Sequence, residues 1–212
     1  MRDRVRCNEE SMRKALYFLG ILNDSDIDWL VSAGMRREVP AGATIIEEGR
    51  PLDAVFLVIS GAFSVRAAAL GGKQVACLMS GEVMGEMSFV DSAPPSATVQ
   101  ALEPSMVLAI PRRRLNARLK EDPGFAGRFY RALAMFLADR LRSTTVGGTA
   151  THREDDLAVE AMDKIDMAGA RFDWIQKRLR GAQAAIVWRI SRKCCFDPKR
   201  WTGHRPQITW NC

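Results

Sequence analysis

Residues 81 to 99 read Gly-Glu-Val-Met-Gly-Glu-Met-Ser-Phe-Val-Asp-Ser-Ala-Pro-Pro-Ser-Ala-Thr-Val. Gly81 and Gly85 bracket a tight approach, and a short apolar stretch, Met87 to Val90, follows Glu86 directly. A turn that leads into a helical start presents backbone N–H groups with no partner inside the helix, and these attract an anion. Pro94-Pro95 stiffens the return, and Ala97-Thr98-Val99 reads as the next strand.

Upstream, residues 11 to 34 read as helical. Asn23-Asp24-Ser25-Asp26 is rich in N-cap formers, Ile27, Leu30 and Val31 recur at helical spacing, and Gly34 is a fitting stop. The period then changes. Arg37-Glu38-Val39 runs into the turn Pro40-Ala41-Gly42, followed by Thr44-Ile45-Ile46 and Glu47-Glu48-Gly49. Ala54 to Ile59 is a continuous β-type run, Phe63-Ser64-Val65 alternates as a half-buried strand should, and Gly71-Gly72 is a hairpin candidate before Gln74 to Met79. Short strands at a spacing of about eight to twelve residues, punctuated by glycine, predict a jelly roll or barrel.

Downstream, Ala97 to Ala101 and Met106 to Ile110 form a further strand pair. Pro111 suits a first helical position, with Leu115 and Leu119 four apart, and Asp122-Pro123 opens a helix that can run to about Ser143. Its apolar stripe is Phe125, Phe129, Leu133, Phe136, Leu137 and Leu141; Arg128, Arg131, Asp139, Arg140 and Arg142 are its polar positions. Ser143 to Thr151 reads as a linker. Asp155 to Arg180 reads as a helix or a pair of helices broken at Gly169, and coherence is lost beyond Gly181. The expected division is 1–34 N-terminal helical segment, 35–143 β-roll with C-terminal helices, 144–154 linker, 155–190 helical extension and 191–212 basic tail with Cys and Trp.

The stretch 81–99 resembles the phosphate-binding cassette of cyclic nucleotide-binding domains, as in catabolite activator proteins and protein kinase A regulatory subunits. Gly85, Glu86, Ser96, Ala97, Thr98 and Val99 fall in register with that pattern. Pro40-Ala-Gly42, Ile45-Ile46-x-Glu48-Gly49 and Val55-Phe-Leu-Val-Ile-Ser-Gly61 extend the likeness over roughly residues 18 to 143. The resemblance implies an α+β fold: an antiparallel β jelly roll (a double-stranded β-helix) flanked by N-terminal helices and a long C-terminal helix. It implies a cyclic nucleotide such as cyclic AMP as ligand, with no other cofactor. The binding residues would be Gly85, Glu86, Met87, Ser88, Pro95, Ser96, Ala97 and Thr98. Backbone N–H groups near Met87 and Ser88, and from Ser96 and Ala97, would cradle the phosphate, and the Ser96 hydroxyl would add a hydrogen bond. Glu86 matches the glutamate that accepts from the ribose 2′-hydroxyl.

One position departs from the family pattern. Pro95 stands where the family places the arginine that pairs with the phosphate, and proline has no donor to offer. Losing one partner of a buried charge pair costs about 2–5 kcal/mol in binding, so weak or altered nucleotide binding is expected. Lys73, Arg66 and Arg112 lie on or after other strands and do not obviously replace it.

Net charge is +6, but residues 171 to 212 alone carry +8 and the first 170 carry −2. The main domain is therefore no general polyanion binder, and a basic tail is compatible with nucleic acid or with simple solvation. The five cysteines (Cys7, Cys77, Cys194, Cys195 and Cys212) lack metal-site spacing, and Cys77 reads as a plain core residue. Without a disulfide framework, export signal or bilayer-length apolar run, a cytoplasmic location is expected. His152 and His204 fall in the linker and tail, so no nucleophile–base arrangement can be proposed, and an enzyme is not expected. The resemblance implies that helix 123–143 either lids the nucleotide or forms a homodimer; docking on its own barrel is the simpler alternative. The reading is a non-catalytic regulatory module. Its alternative is a transcription regulator of the catabolite-activator type, binding DNA through residues 155–212. Bulky Phe172 and Trp174 oppose that alternative, standing where a recognition helix is normally polar.

Overall fold

The computed structural model describes residues 18–145 and 167–180. After a helical stretch over 18–21, Asn23 opens α1 (Asp24–Ala33) with a reciprocal capping box. The Asp26 amide donates to the Asn23 side chain at 2.8 Å, and the Asn23 amide donates to the Asp26 carboxylate at 3.0 Å. α1 buries Ile27, Leu30 and Ala33 and stops at Gly34, as its sequence leads one to expect. The reason for glycine is packing rather than a left-handed turn. Gly34 is extended, and a Cβ there would sit 2.5 Å from Leu108 Cδ1.

Eight strands follow: β1 (Met35–Val39), β2 (Thr44–Ile46), β3 (Ala54–Ser60), β4 (Phe63–Arg66), β5 (Gln74–Leu78), β6 (Val83–Met84), β7 (Thr98–Ala101) and β8 (Ser105–Pro111). Helix α2 (Glu86–Asp91) lies between β6 and β7; α3 (Arg112–Glu121) and α4 (Pro123–Thr145) close the sequence of elements. The strands pair antiparallel into two four-stranded sheets, ordered β1-β8-β3-β6 and β2-β7-β4-β5. Between the sheets lies one core that includes Val39, Phe56, Val58, Phe63, Met84, Val99 and Val107. This is the expected α+β jelly roll.

β3 shows why a continuous apolar run is needed. It lies between β8 and β6, with the core on one face and α2 against it, so Ala54 to Ile59 are all buried. β4 is less half-buried than its alternation suggests. Phe63 and Val65 face the core, yet Ser64 is also fully buried and donates to the Gln100 carbonyl at 3.4 Å. Gly71 and Gly72 do turn the chain between β4 and β5, both left-handed, after a 3-10 turn at Ala68–Leu70. Cys77 departs from expectation: it is half-buried on β5 and disulfide-bonded, not an unpaired core residue.

The first part of the apolar stripe of α4, Phe125 to Phe136, docks on its own roll, while Leu137 is half-buried and Leu141 exposed. Phe125, Phe129, Ala132, Leu133 and Phe136 are buried, and Phe129 meets Phe18 and Phe89 edge-on at 5.7 and 5.9 Å. Asp122 caps the helix through the Phe125 amide at 2.9 Å. Arg128 then reaches back to α1 and grips Asp26 through two bonds of 2.6 and 2.9 Å.

Two compact units divide the chain at 177/178; of the second, only 178–180 are described. Residues 167–180 are one continuous helix, so Gly169 makes no break in it. Within the first unit, this helix buries Ala168, Phe172 and Ile175. Arg171 donates to Asp24 at 2.8 Å and to the Leu19 carbonyl at 2.9 Å, and Gln176 donates to the Ile59 carbonyl at 2.9 Å. Helix α4 is described to Thr145, two residues beyond the expected start of the linker. The rest of the linker, the remainder of the 155–190 extension and the 191–212 tail lie outside the described residues.

Burial alone would raise the Asp26 carboxyl, but the Arg128 hydrogen bonds, the Asn23 amide and the charges of Arg128 and Arg118 outweigh it and hold it below the ordinary aspartate value. A depressed carboxyl stabilises the fold above its unfolded pKa, and that contribution fades as pH falls through the folded value. Asp26→Ala should therefore destabilise the protein at neutral pH. The expected loss is about 2–3 kcal/mol, below the roughly 3–5 for a fully buried pair because solvent reaches Arg128. Urea unfolding at pH 7 and pH 3 checks this, with the variant's deficit shrinking at the lower pH.

Candidate ligand-binding site

The cassette is built from the edge of one sheet. β6 pairs with β3, Met84 opposite Phe56 and Val83 opposite Leu57. Gly81, with φ +90, enters β6 and donates to the Val58 carbonyl at 2.8 Å. Glu82, which looks like a solvated loop carboxylate in sequence, is buried and accepts the Met79 amide at 2.8 Å. Gly85 then turns left-handed, φ +80, to cap α2. Only glycine fits there, because a Cβ would lie 2.4 Å from Leu52 Cδ2 and 3.3 Å from the Ala54 carbonyl.

The first residue of α2 is Glu86, whose side chain is 3% exposed. Its carboxylate meets Arg140 of α4, Nη1 to Oε1 at 2.5 Å. The Arg140 guanidinium also lies over the Phe136 ring, 4.7 Å from its centroid. Burial pushes the Glu86 carboxyl above its ordinary value, and the Arg140 charge, a backbone hydrogen bond and the Arg140 hydrogen bond offset that only in part. Ser88 is buried, Met87 is exposed, and Phe89 packs under Phe129.

The return limb passes through Ser92, left-handed at φ 60, and is braced where the Asp91 carboxylate accepts the Ala93 amide at 2.9 Å. Pro95 is half-buried and its carbonyl accepts the Gly49 amide at 2.8 Å. Ser96 is exposed and Ala97 half-buried. Thr98 Oγ1 accepts the Glu48 amide at 3.2 Å. Gly85 packs on Ile46 and Leu52 while Pro95 bonds Gly49. Both limbs of the cassette therefore meet the same turn between β2 and β3.

The other cations named from sequence are placed as follows. Arg66 is exposed on β4, opposite Thr98, and Lys73 is exposed in the β4–β5 turn. Arg112 donates to the Leu52 carbonyl at 3.2 Å, with its guanidinium 5.6 Å from the Phe89 ring centroid. Arg140 was legible only as a polar helix position. It stands 54 residues from Glu86 and no local pattern marks it. Among the described residues no group of three or more His, Cys, Asp or Glu could hold a metal ion, and no helix is long and apolar enough to cross a membrane.

Residues 36–122 match the sequence model of the cyclic nucleotide-binding domain. Over 144 residues the chain is 30% identical to the Pycsar effector protein XpPycTIR of Xanthomonas perforans, covering 68% of this chain and 46% of that protein. It is 35% identical over 123 residues to the cyclic AMP receptor protein of Thermus thermophilus, covering 57% of this chain and 55% of that one. The crystal structure of Thermus thermophilus catabolite activator protein superposes with a TM-score of 0.53 at 31% identity, covering 61% of this chain and 60% of that chain. The chain thus spans about half the length of the curated relatives it matches. It carries a cyclic nucleotide-binding regulatory fold, related to receptor-type regulators and to a Pycsar effector.

A carboxyl with a raised folded pKa favours the fold at low pH, a contribution lost as pH rises through that value. The Glu86 side-chain carbon resonance should therefore titrate with a midpoint above that of an ordinary glutamate, and Arg140→Ala should move the midpoint further up. A midpoint that falls in the variant would exclude Arg140 as the compensating charge.

Proposed function

We propose that the protein is a non-catalytic ligand-sensing module whose cassette takes a cyclic nucleotide more weakly than the family pattern would. The cassette residues are Gly85, Glu86, Met87, Ser88, Pro95, Ser96, Ala97 and Thr98. The observation that carries this reading is Pro95. Its carbonyl is tied to Gly49, and it brings neither an N–H nor a guanidinium to the return limb. Within the cassette itself, what remains for an anion is the start of α2 and the amides near Ser96 and Ala97, dipolar groups rather than a full charge. Glu86, buried at the head of α2, is the candidate acceptor for a ribose hydroxyl. The likeness over 123 residues to a cyclic AMP receptor protein supports a regulatory role.

Helix 123–143 would join two copies. Gly127, Tyr130, Ala134 and Met135 are exposed along α4, opposite the buried phenylalanines, a small-residue and aromatic stripe suited to a second helix. DNA binding through residues 155–212 is disfavoured by the helix over 167–180, since Arg171 is held by Asp24 and Leu19 and Phe172 is buried.

Calorimetric titration with cyclic AMP and cyclic GMP tests the ligand. Pro95→Arg should tighten binding by about tenfold or more, and an unchanged affinity overturns the assignment of that position. For assembly, sedimentation should show a dimer that Ala134→Glu converts to monomer.

A further inference from the structure

We infer that Arg140 supplies from α4 the phosphate-binding cation that the cassette lacks at Pro95, reaching the cyclic phosphate from its place on Glu86. The inference rests on the cyclic nucleotide reading above and adds the residue that completes the site.

The argument starts from covalent geometry of the ligand. In a 3′,5′-cyclic ribonucleotide the 2′-hydroxyl and the 3′-oxygen of the phosphate sit on adjacent ring carbons. A group hydrogen-bonded to the carboxylate that accepts the 2′-hydroxyl is therefore a side-chain rotation from the phosphate. Arg140 is such a group, 2.5 Å from Glu86, and its side chain is 31% exposed while that of Glu86 is 3%. The guanidinium is therefore partly accessible to solvent, and the carboxylate is not. A guanidinium presents several donors in a fixed fork, so it can hold one carboxylate oxygen and a phosphate oxygen at once.

The alternatives are worse placed. Arg112 is committed to the Leu52 carbonyl and the Phe89 face. Arg66 and Lys73 stand exposed in the other sheet and its turn. The arrangement also has a consequence for α4. With the cation on the helix instead of the return limb, ligand charge would act directly on the segment around Phe136 and Arg140.

The test is a calorimetric double-mutant cycle with cyclic AMP on the full chain, using the natural protein, Arg140→Ala, Pro95→Arg and the double variant. Arg140→Gln, which keeps the reach of the side chain over Phe136, guards against misfolding, and thermal melts report the fold of each. Arg140→Ala and Arg140→Gln should each weaken binding by about tenfold. The loss should shrink clearly when Pro95→Arg is present, because the new guanidinium takes over the phosphate. With 2′-deoxy cyclic AMP the loss at Arg140 should persist, since that contact is with phosphate and not with ribose. If folded Arg140 variants bind equally or more tightly while Pro95→Arg gains affinity, the inference falls and the cyclic nucleotide reading stands. If neither the natural protein nor Pro95→Arg binds any cyclic mononucleotide, both fall.

Discussion

A carboxylate taken out of water must be answered by a positive charge or give up its own, and two such carboxylates govern this fold. Asp26 on α1 and Glu86 at the head of α2 are both almost wholly buried, and each is met by an arginine of α4, Arg128 and Arg140. The long helix is thereby fixed along its length, first to the N-terminal helix and then to the cassette. Phe129, wedged edge-on between Phe18 and Phe89, supplies the apolar contact between the two pairs.

The two pairs differ in what they leave available. Asp26 receives two hydrogen bonds from Arg128 and one from the Asn23 amide, and its carboxyl is held low. It is a satisfied structural anchor. Glu86 is buried as deeply, but the contact from Arg140 does not fully offset that burial, and its carboxyl is raised. A carboxylate in that condition gains from any further donor.

The β-roll gives this chemistry a rigid frame. Gly85 and Pro95, ten residues apart in sequence, are both pressed onto the turn that joins β2 to β3. The Pro95 carbonyl accepts the Gly49 amide, while at Gly85 the Leu52 side chain and the Ala54 carbonyl leave no room for a Cβ. The relatives place this roll in longer proteins, one a Pycsar effector and one a cyclic AMP receptor, each about twice the matched length.

Much of this was legible in residue order because it depends on near neighbours. The capping box at Asn23, the buried run Ala54 to Ile59, the Gly71-Gly72 turn and the cassette glycines are local patterns, readable from backbone preference and side-chain period. The long helix could also be read, together with its phenylalanine stripe, though not the surface it covers. Other features depend on distant chain: Gly34 stops α1 as read, but it is Leu108 that leaves no room there for a Cβ, and Ser64 is buried on β4 where it donates to the Gln100 carbonyl.

The sequence by itself therefore determined the kind of fold and the glycine-marked turn that leads into α2. Only the tertiary structure decided that Arg140 lies on Glu86. A polar position on a helix face does not reveal its partner 54 residues away; that follows from how the helix docks, and the docking is decided by the burial of Phe125, Phe129 and Phe136.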